Sequence, residues 1–148
     1  MPTNFTTLLG YALPVQGELT GVWGDEVNTS ITQLVEDSVA NYATHDVTSA
    51  DWTLTTTGSG VSNEARMAIL IPTGTPGVSR NIIAPALSKI YTVCNKSNAP
   101  VIIKGASTTG VLVGVNLNAV VAWNGSDFIL INTGVSTGKA ITLDLVFS

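Results

Sequence analysis

The hydrophobic and polar positions divide the chain into three segments, each with its own periodicity. In the first, residues 1–24, proline or glycine interrupts every short apolar run, at Pro2, Gly10, Pro14, Gly17, Gly21 and Gly24. Turn-forming residues at such short intervals leave no room for a helix or a long strand. The segment is therefore predicted to be an extended N-terminal arm.

One short α-helix is predicted next, over residues 25–42. Apolar residues follow one another here at intervals of three and four, at Trp23, Val27, Ile31, Leu34, Val35 and Val39. Asp25 lies in the first turn, where a negative charge interacts favourably with the helix dipole. The spacing from Val27 through Ile31 to Leu34 also suits a short coiled-coil seam at a symmetry axis. Packing of the same face on the chain's own domain is the alternative.

The third segment, residues 43–148, has the pattern of short strands. Runs that alternate between apolar and polar residues, or that are rich in β-branched residues, are separated by turns of Gly, Pro, Asn and Ser. Strands are predicted near residues 52–57, 66–71, 80–83, 89–94, 101–105, 111–115, 120–123, 128–132 and 141–147. In the clearest hairpin, Asn124-Gly125 suits a type I′ turn. Short strands without intervening helices predict an antiparallel β-sandwich with a jelly-roll-like arrangement.

The chain has few charged residues to cover its surface. Hydrophobic residues make up 45% of the 148 residues and charged residues only 11%, against roughly 25% charged in an average soluble domain. A chain of this length forms one domain. Either Thr, Ser, Asn and Gly cover much of its surface, or other subunits cover part of the apolar surface, and we expect both.

Neither a membrane nor a secretion pathway is indicated. No run approaches the roughly 18 consecutive apolar residues that a spanning helix requires. The first residues lack the basic and apolar regions of a signal peptide. We therefore expect a protein that does not associate with membranes and that is synthesised in a cytoplasm.

Acids and bases are segregated along the chain. Residues 1–65 carry eight acids and no Lys or Arg, whereas residues 66–148 carry six bases and two acids, so that the two parts have net charges of −8 and +4. The first part could be a solvated acidic segment, or it could dock on a basic surface of a neighbouring subunit. No basic cluster with interleaved aromatic residues is present, so nucleic acid is not an expected partner.

The residues offer little for catalysis. His45 is the only histidine, so a nucleophile has few means of activation, and we expect His45 near the end of the helix in a structural role. The lone Cys94 excludes an internal disulfide and is expected to be a buried small hydrophobe. Metal-ligand spacings are also missing. The chain is therefore predicted not to be an enzyme and to need no metal or cofactor.

The three tryptophans have different settings. Trp52 and Trp123 lie in strand patterns and are expected to be buried. Trp23 lies in a bend between two glycines, directly before the helix, where it could anchor the chain on its own fold or on another subunit. The predicted protein-interaction residues are Trp23, Asp25, Val27, Ile31 and Leu34.

Four blocks of the sequence carry a resemblance to known proteins. They are residues 9–28 (LGYALPVQGELTGVWGDEVN), 80–86 (RNIIAPA), 91–97 (YTVCNKS) and 120–128 (VVAWNGSDF). These blocks resemble the opening module of tail-fibre and other virion structural proteins of tailed phages, notably those that infect cyanobacteria. The resemblance covers most of residues 9–130, and it implies a virion structural protein with no catalytic residues.

The length of the chain suggests a position on the particle. In fibre proteins the module resembles a base that a long shaft and a receptor-binding tip follow, whereas no shaft repeats occur here before Ser148. The plan of arm, helix and sandwich is closer to that of capsid decoration or cement proteins, which are commonly trimers. We therefore expect a homotrimer that binds the major capsid protein and stabilises the phage head. A short tail-fibre, head-fibre or tail-adaptor component bound to tail or neck proteins is the alternative, and a carbohydrate-binding module is a remote one.

Overall fold

The computed structural model describes residues 4–17, 19–56 and 58–131. This part of the chain is mainly β, with three sheets and one longer helical segment. The strands are β1 (Asn4–Phe5), β2 (Ala12–Leu13), β3 (Tyr42–Asp46), β4 (Trp52–Thr53), β5 (Ile69–Thr73), β6 (Arg80–Ile83), β7 (Ile90–Cys94), β8 (Val101–Lys104), β9 (Val111–Val113), β10 (Asn118–Trp123) and β11 (Phe128–Leu130).

The helical segment begins and ends earlier than predicted. It consists of α1 (Trp23–Val27), a π-helical turn (Asn28–Thr32) and α2 (Gln33–Val39), with helical backbone angles at both junctions. The carbonyl of Asn41 then accepts hydrogen bonds from the amides of Ala68 and Ile69. Strand pairing therefore competes with the helix after Val39, and β3 begins where the helix was expected to continue.

The N-terminal segment is folded rather than fully extended. β1 and β2 form an antiparallel hairpin in which Asn4 pairs with Leu13. Within its turn, Tyr11 donates its backbone N–H to the Thr6 hydroxyl at 2.9 Å. The prediction of an extended arm missed this hairpin because each of its strands is only two residues long.

The main body contains two larger sheets. The five-stranded sheet has the order β11-β10-β7-β5-β3, and the four-stranded sheet has the order β4-β6-β8-β9. From β3 to β8 the chain alternates between the sheets, so that each strand pairs in parallel with the strand two places along the chain. The antiparallel pairs of these two sheets are β8 with β9, β7 with β10 and β10 with β11.

This topology corrects the predicted antiparallel pairing. When consecutive strands lie in different sheets, the chain returns to the first sheet in its original direction, and neighbouring strands become parallel. Short strands separated by turns are compatible with either arrangement. The jelly-roll-like arrangement, which consists of antiparallel Greek keys, is not confirmed.

Buried residues of both sheets form one core. The five-stranded sheet contributes Leu70, Tyr91, Val93, Ala119, Val121 and Phe128, and the four-stranded sheet contributes Trp52, Ile82, Val101, Ile103 and Val113. Buried and less buried positions alternate along β5, β7 and β8. The layout is therefore sandwich-like, with one side of each sheet on a shared core.

The predicted hairpin at Asn124-Gly125 exists, but its turn type differs. β10 and β11 are joined through the pair Trp123 and Phe128. Gly125 has a φ of 106°, whereas Asn124 does not have the positive φ that a type I′ turn requires. Instead, the Asn124 side chain accepts hydrogen bonds from the amides of Ser126 and Asp127, both at 3.0 Å. The predicted strand at 141–147 lies outside the described residues.

Candidate interaction surfaces

The structure separates the five predicted interaction residues. Trp23 is 59% exposed at the start of the helix, and Asp25 next to it is also exposed. Val27 and Ile31 are half-buried, and Leu34 is completely buried within its own chain. Of the five predicted residues, only Trp23 and Asp25 are therefore presented freely to a partner.

The proposed helical seam packs on the N-terminal hairpin. The Tyr11 hydroxyl lies 2.8 Å from the Ser38 hydroxyl and donates to the carbonyl oxygen of Leu34 at 3.3 Å. This contact agrees with the alternative prediction, that the helix face packs on the chain's own domain. It also ties the hairpin to the helix, so residues of the hairpin contribute to the fold.

The outer face of the five-stranded sheet is a surface that the sequence did not single out. The strand register aligns Tyr42, Ile69, Thr92 and Val120 across four neighbouring strands. Ile131, directly after β11, continues this row by donating its N–H to the carbonyl of Val120 at 2.8 Å. Residues that pair in register share a face of the sheet.

A second row lies beside the first. Ile90 pairs with Ala122, which pairs with Ile129. Ile90 is 58% exposed, although Tyr91 next to it is buried. Because side chains alternate between the two faces of a sheet, both rows point away from the core. We call these eight positions the apolar face: Tyr42, Ile69, Ile90, Thr92, Val120, Ala122, Ile129 and Ile131. None of them is charged.

The acidic and basic parts of the chain meet within the molecule. Asp51 accepts hydrogen bonds from the backbone and side-chain amides of Asn81, at 2.9 and 2.7 Å. The backbone hydrogen bond, with help from the Asn81 side chain and the charges of Arg80 and Lys104, holds the pKa of Asp51 below its usual value despite partial burial. The segregated charges thus interact in part inside one subunit.

The environments of the histidine, the cysteine and one of the tryptophans differ from those predicted. His45 lies in β3 rather than at a helix end, and its ring stacks on Trp52 with the centroids 5.1 Å apart. Trp52 is buried as predicted, whereas Trp123 is half-buried, with its ring edge-on to Phe128. Cys94 is half-buried rather than fully buried.

Lys89 precedes β7 in a half-buried position. Its Nζ donates to the carbonyl oxygen of Met67 at 2.8 Å and lies 4.3 Å from the centroid of the Tyr91 ring. Burial lowers the pKa of Lys89 to about 8. Because burial disfavours the charged ammonium, folding becomes more favourable as this proton is lost.

We expect the free energy of unfolding to rise between pH 7.5 and 9.5 because of Lys89. In this range the folded protein loses the Lys89 proton, while the unfolded chain, with an ordinary lysine pKa, keeps it. The expected rise is about 1 to 2 kcal/mol once solvent screening is considered. Urea unfolding at each pH measures it. Lys89→Met should remove the rise, and the exposed control Lys96→Met should keep it. If the free energy of unfolding of both variants depended on pH in the same way, the rise would not come from Lys89.

Within residues 4–17, 19–56 and 58–131, no three His, Cys, Asp or Glu side chains are placed to hold a metal ion. No helix in these ranges is long and apolar enough to cross a bilayer. A search of protein-family models, curated proteins and solved structures finds no match to this chain.

Proposed function

We propose that this protein is a non-enzymatic structural component of a tailed-phage particle, and that it acts by associating with itself and with other particle proteins. The observation that carries the proposal is the apolar face, with its two rows of uncharged side chains across the five-stranded sheet. The resemblance of residues 9–28, 80–86, 91–97 and 120–128 to phage virion proteins supports the same class.

The chemistry of the apolar face favours a second copy of the chain as its occupant. A surface without charges is complementary to itself, because no like charges are brought together when two copies meet. Exposed apolar patches of several side chains commonly mark protein interfaces. Sheets of this kind can pack face to face, and three of them can surround a threefold axis. The expected assembly is a homotrimer.

Within the particle, we propose a trimeric decoration or cement protein bound to the major capsid protein of the phage head. The apolar face would join the subunits, and the exposed first turn of the helix, with Trp23 and Asp25, would contact the shell. Burial of apolar surface between neighbouring proteins strengthens a shell without chemical reaction. A short tail-fibre, head-fibre or tail-adaptor component remains the second candidate, because the same resemblance includes fibre proteins.

The self-association is tested by size-exclusion chromatography with light scattering. The native chain is expected to elute as a trimer at micromolar concentration. Ile90→Lys should convert it to a monomer, because the substitution places a charge within the proposed interface, where water would be excluded. The control is Leu112→Lys on the outer side of the four-stranded sheet, where Leu112 is 62% exposed. This variant should stay trimeric.

Two results would contradict the role of the apolar face. A native chain that is monomeric at tens of micromolar would show that the face does not self-associate. Dissociation by Leu112→Lys but not by Ile90→Lys would place the interface on the other sheet. Circular dichroism of both variants confirms that a change in mass does not come from unfolding.

The location is tested by counting copies in purified virions, with quantitative mass spectrometry against the major capsid protein. A copy number close to that of the capsid protein would support decoration of the shell. A small multiple of three or six would favour the tail or neck. Absence from the particle would contradict a structural role in the virion.

A further inference from the structure

A cavity of about 210 Å³ lies between the N-terminal hairpin and the main body. Residues of the hairpin turn form one wall, and the loop before Arg66 and the segment after β6 form the others. Its lining includes four hydroxyl groups, those of Thr6, Thr7, Thr56 and Ser59. Apolar side chains, among them Leu9, Pro85 and Leu87, complete it. Such a mixture of hydroxyl and apolar groups is typical of small-molecule sites.

Arg66 is the charged group of this cavity. Its side chain is 95% buried, since only 5% of its surface is exposed. Nε donates to the carbonyl oxygen of Leu9 at 2.6 Å, and Nη1 donates to that of Gly58 at 3.1 Å. A guanidinium group has five N–H donors. These two bonds use one donor each of Nε and Nη1, so the two N–H groups of Nη2 and the second one of Nη1 remain available to a ligand. Within the described part of the chain, Arg66 forms no ion pair.

Gly10 allows the backbone of the hairpin turn to lie close to the end of this guanidinium. A Cβ at Gly10 would lie 2.6 Å from Nη2 of Arg66 and 3.6 Å from Oγ of Ser59. The φ of Gly10 is 63°, a conformation that glycine adopts without strain. Nη2 of Arg66 and the Ser59 hydroxyl therefore both lie near the Gly10 backbone, and all three residues line the cavity.

Burial lowers the pKa of Arg66, and the electrostatic influence of Tyr11 and Asp37 offsets this effect only in part. A buried cation that forms no ion pair is unfavourable. An anionic ligand would relieve this cost. The planar edge of a guanidinium matches the two oxygens of a carboxylate, which accept a pair of parallel hydrogen bonds. The surrounding hydroxyls can bind further hydroxyl groups, and the apolar side chains can contact the face of a ring.

We propose that this cavity binds an acidic sugar unit, with the sugar carboxylate on Arg66 and the sugar hydroxyls on the threonine and serine side chains. The cavity is smaller than the roughly 300–1,000 Å³ of sites for drug-sized ligands, which suits one ring rather than a long chain. This binding site is additional to the structural role proposed above, and it rests on Arg66 and the cavity alone.

Isothermal titration calorimetry of the full chain with D-glucuronate tests the proposal, at low ionic strength. Glucuronate is expected to bind, whereas D-glucose, which lacks the carboxylate, and inorganic phosphate, which lacks the ring, should bind at least about tenfold more weakly. Equal affinities for glucuronate and glucose would show that Arg66 does not recognise a charge. Equal affinities for glucuronate and phosphate, or no binding of glucuronate at millimolar concentration, would equally overturn the proposal.

Ser59→Asp and Ser59→Asn form the matched pair of variants. The aspartate places a carboxylate of the protein in the position of the ligand, so the affinity for glucuronate should fall by at least about tenfold. The asparagine has the same size without the charge, so it measures the effect of the lost Ser59 hydroxyl and of the added volume, and its loss of affinity should be at least about threefold smaller than that of Ser59→Asp. Unchanged binding by Ser59→Asp would contradict the site.

A stability measurement separates loss of the site from loss of the fold. Because the new carboxylate gives Arg66 a partner, Ser59→Asp should unfold at the same temperature as the native chain or higher. Should this variant fail to fold, Thr7→Asp introduces the same group from the exposed hairpin turn. Thr7→Asp is then expected to lose glucuronate binding, and retained binding would overturn the proposal.

Discussion

Replacement of Asn95 by aspartate is expected to lower the free energy of unfolding by about 3 to 5 kcal/mol, because it disrupts a buried hydrogen-bond network. Asn95 is completely buried. Its Nδ2 lies within hydrogen-bonding distance of the carbonyl oxygens of Ala99, Val113 and Gly114, at 2.9, 3.1 and 3.1 Å. An aspartate would direct a carboxylate, which donates no hydrogen bond when ionised, at these three oxygens.

The oxygen of the Asn95 amide is also held in place by hydrogen bonds, so the amide has one fixed orientation. Oδ1 accepts hydrogen bonds from the backbone amide and the hydroxyl of Ser97, at 3.0 and 2.8 Å. Donors and acceptors are thus matched on both sides of the amide. The network joins the end of β7 to the segment before β8 and to the end of β9.

Urea unfolding measures this effect, with Asn98→Asp as the control. Asn98 is exposed, so the same chemical change there should alter the free energy of unfolding by less than about 0.5 kcal/mol. Similar midpoints for the two variants would show that the buried amide contributes little to stability.

The second large effect is expected for Gly110→Ala, again a loss of about 3 to 5 kcal/mol. Gly110 has a φ of 77° and lies between β8 and β9. A Cβ there would overlap the backbone carbonyl oxygen of Ile103 and lie 2.6 Å from Cβ of Lys104. The backbone of β8 would have to move, because neither contact is with the end of a flexible side chain.

Gly77→Ala serves as a control that separates the cost of a positive φ from the cost of steric overlap. Gly77 has a similar φ of 69°, but a Cβ there would meet no atom within 4 Å. Its replacement by alanine should therefore lower the free energy of unfolding only by the strain of the positive φ, about 1 kcal/mol. Thermal or urea unfolding of both variants gives the difference, and equal losses would show that the hairpin between β8 and β9 adapts to the added carbon.

The comparison of sequence with structure shows which features local patterns encode. The strand predicted at 80–83 coincides with β6, and the buried Tyr91 and Val93 follow the alternation that predicted β7. Alternation is a property of each strand alone. Which strands become neighbours depends on the path of the whole chain, so the parallel pairing of β3, β5 and β7 could not be read in advance.

The interaction surfaces illustrate the same limit. Leu34 has the helical spacing of a seam residue, but that spacing does not state whether the partner is another subunit or the chain's own hairpin. Ile90 and Val120 alternate with buried neighbours, which is a usable signal for an outward apolar side chain. Their alignment into one surface becomes visible only with the register.

Arg66 could not have been identified from its neighbours in the sequence. A single arginine before an apolar run is usually a solvated surface residue. Its burial results from the carbonyl groups of Leu9 and Gly58, one of them 57 positions away in the chain. The hairpin that supplies Leu9 was itself absent from the sequence prediction, so neither the cavity nor its charge could be anticipated.

The alternating path of β3 to β8 makes the body a one-dimensional array of three layers, β3 with β4, β5 with β6 and β7 with β8. In such an array each layer is stabilised mainly by its nearest neighbours. The amides of β5 to β8 are covered on both edges, because β10 and β9 pair with β7 and β8, and they should exchange with solvent last, whereas those of the end layer β3 and β4 should exchange earlier. Paired residues between layers are only 21 to 30 positions apart. During synthesis, each layer can therefore form on the previous one soon after it leaves the ribosome.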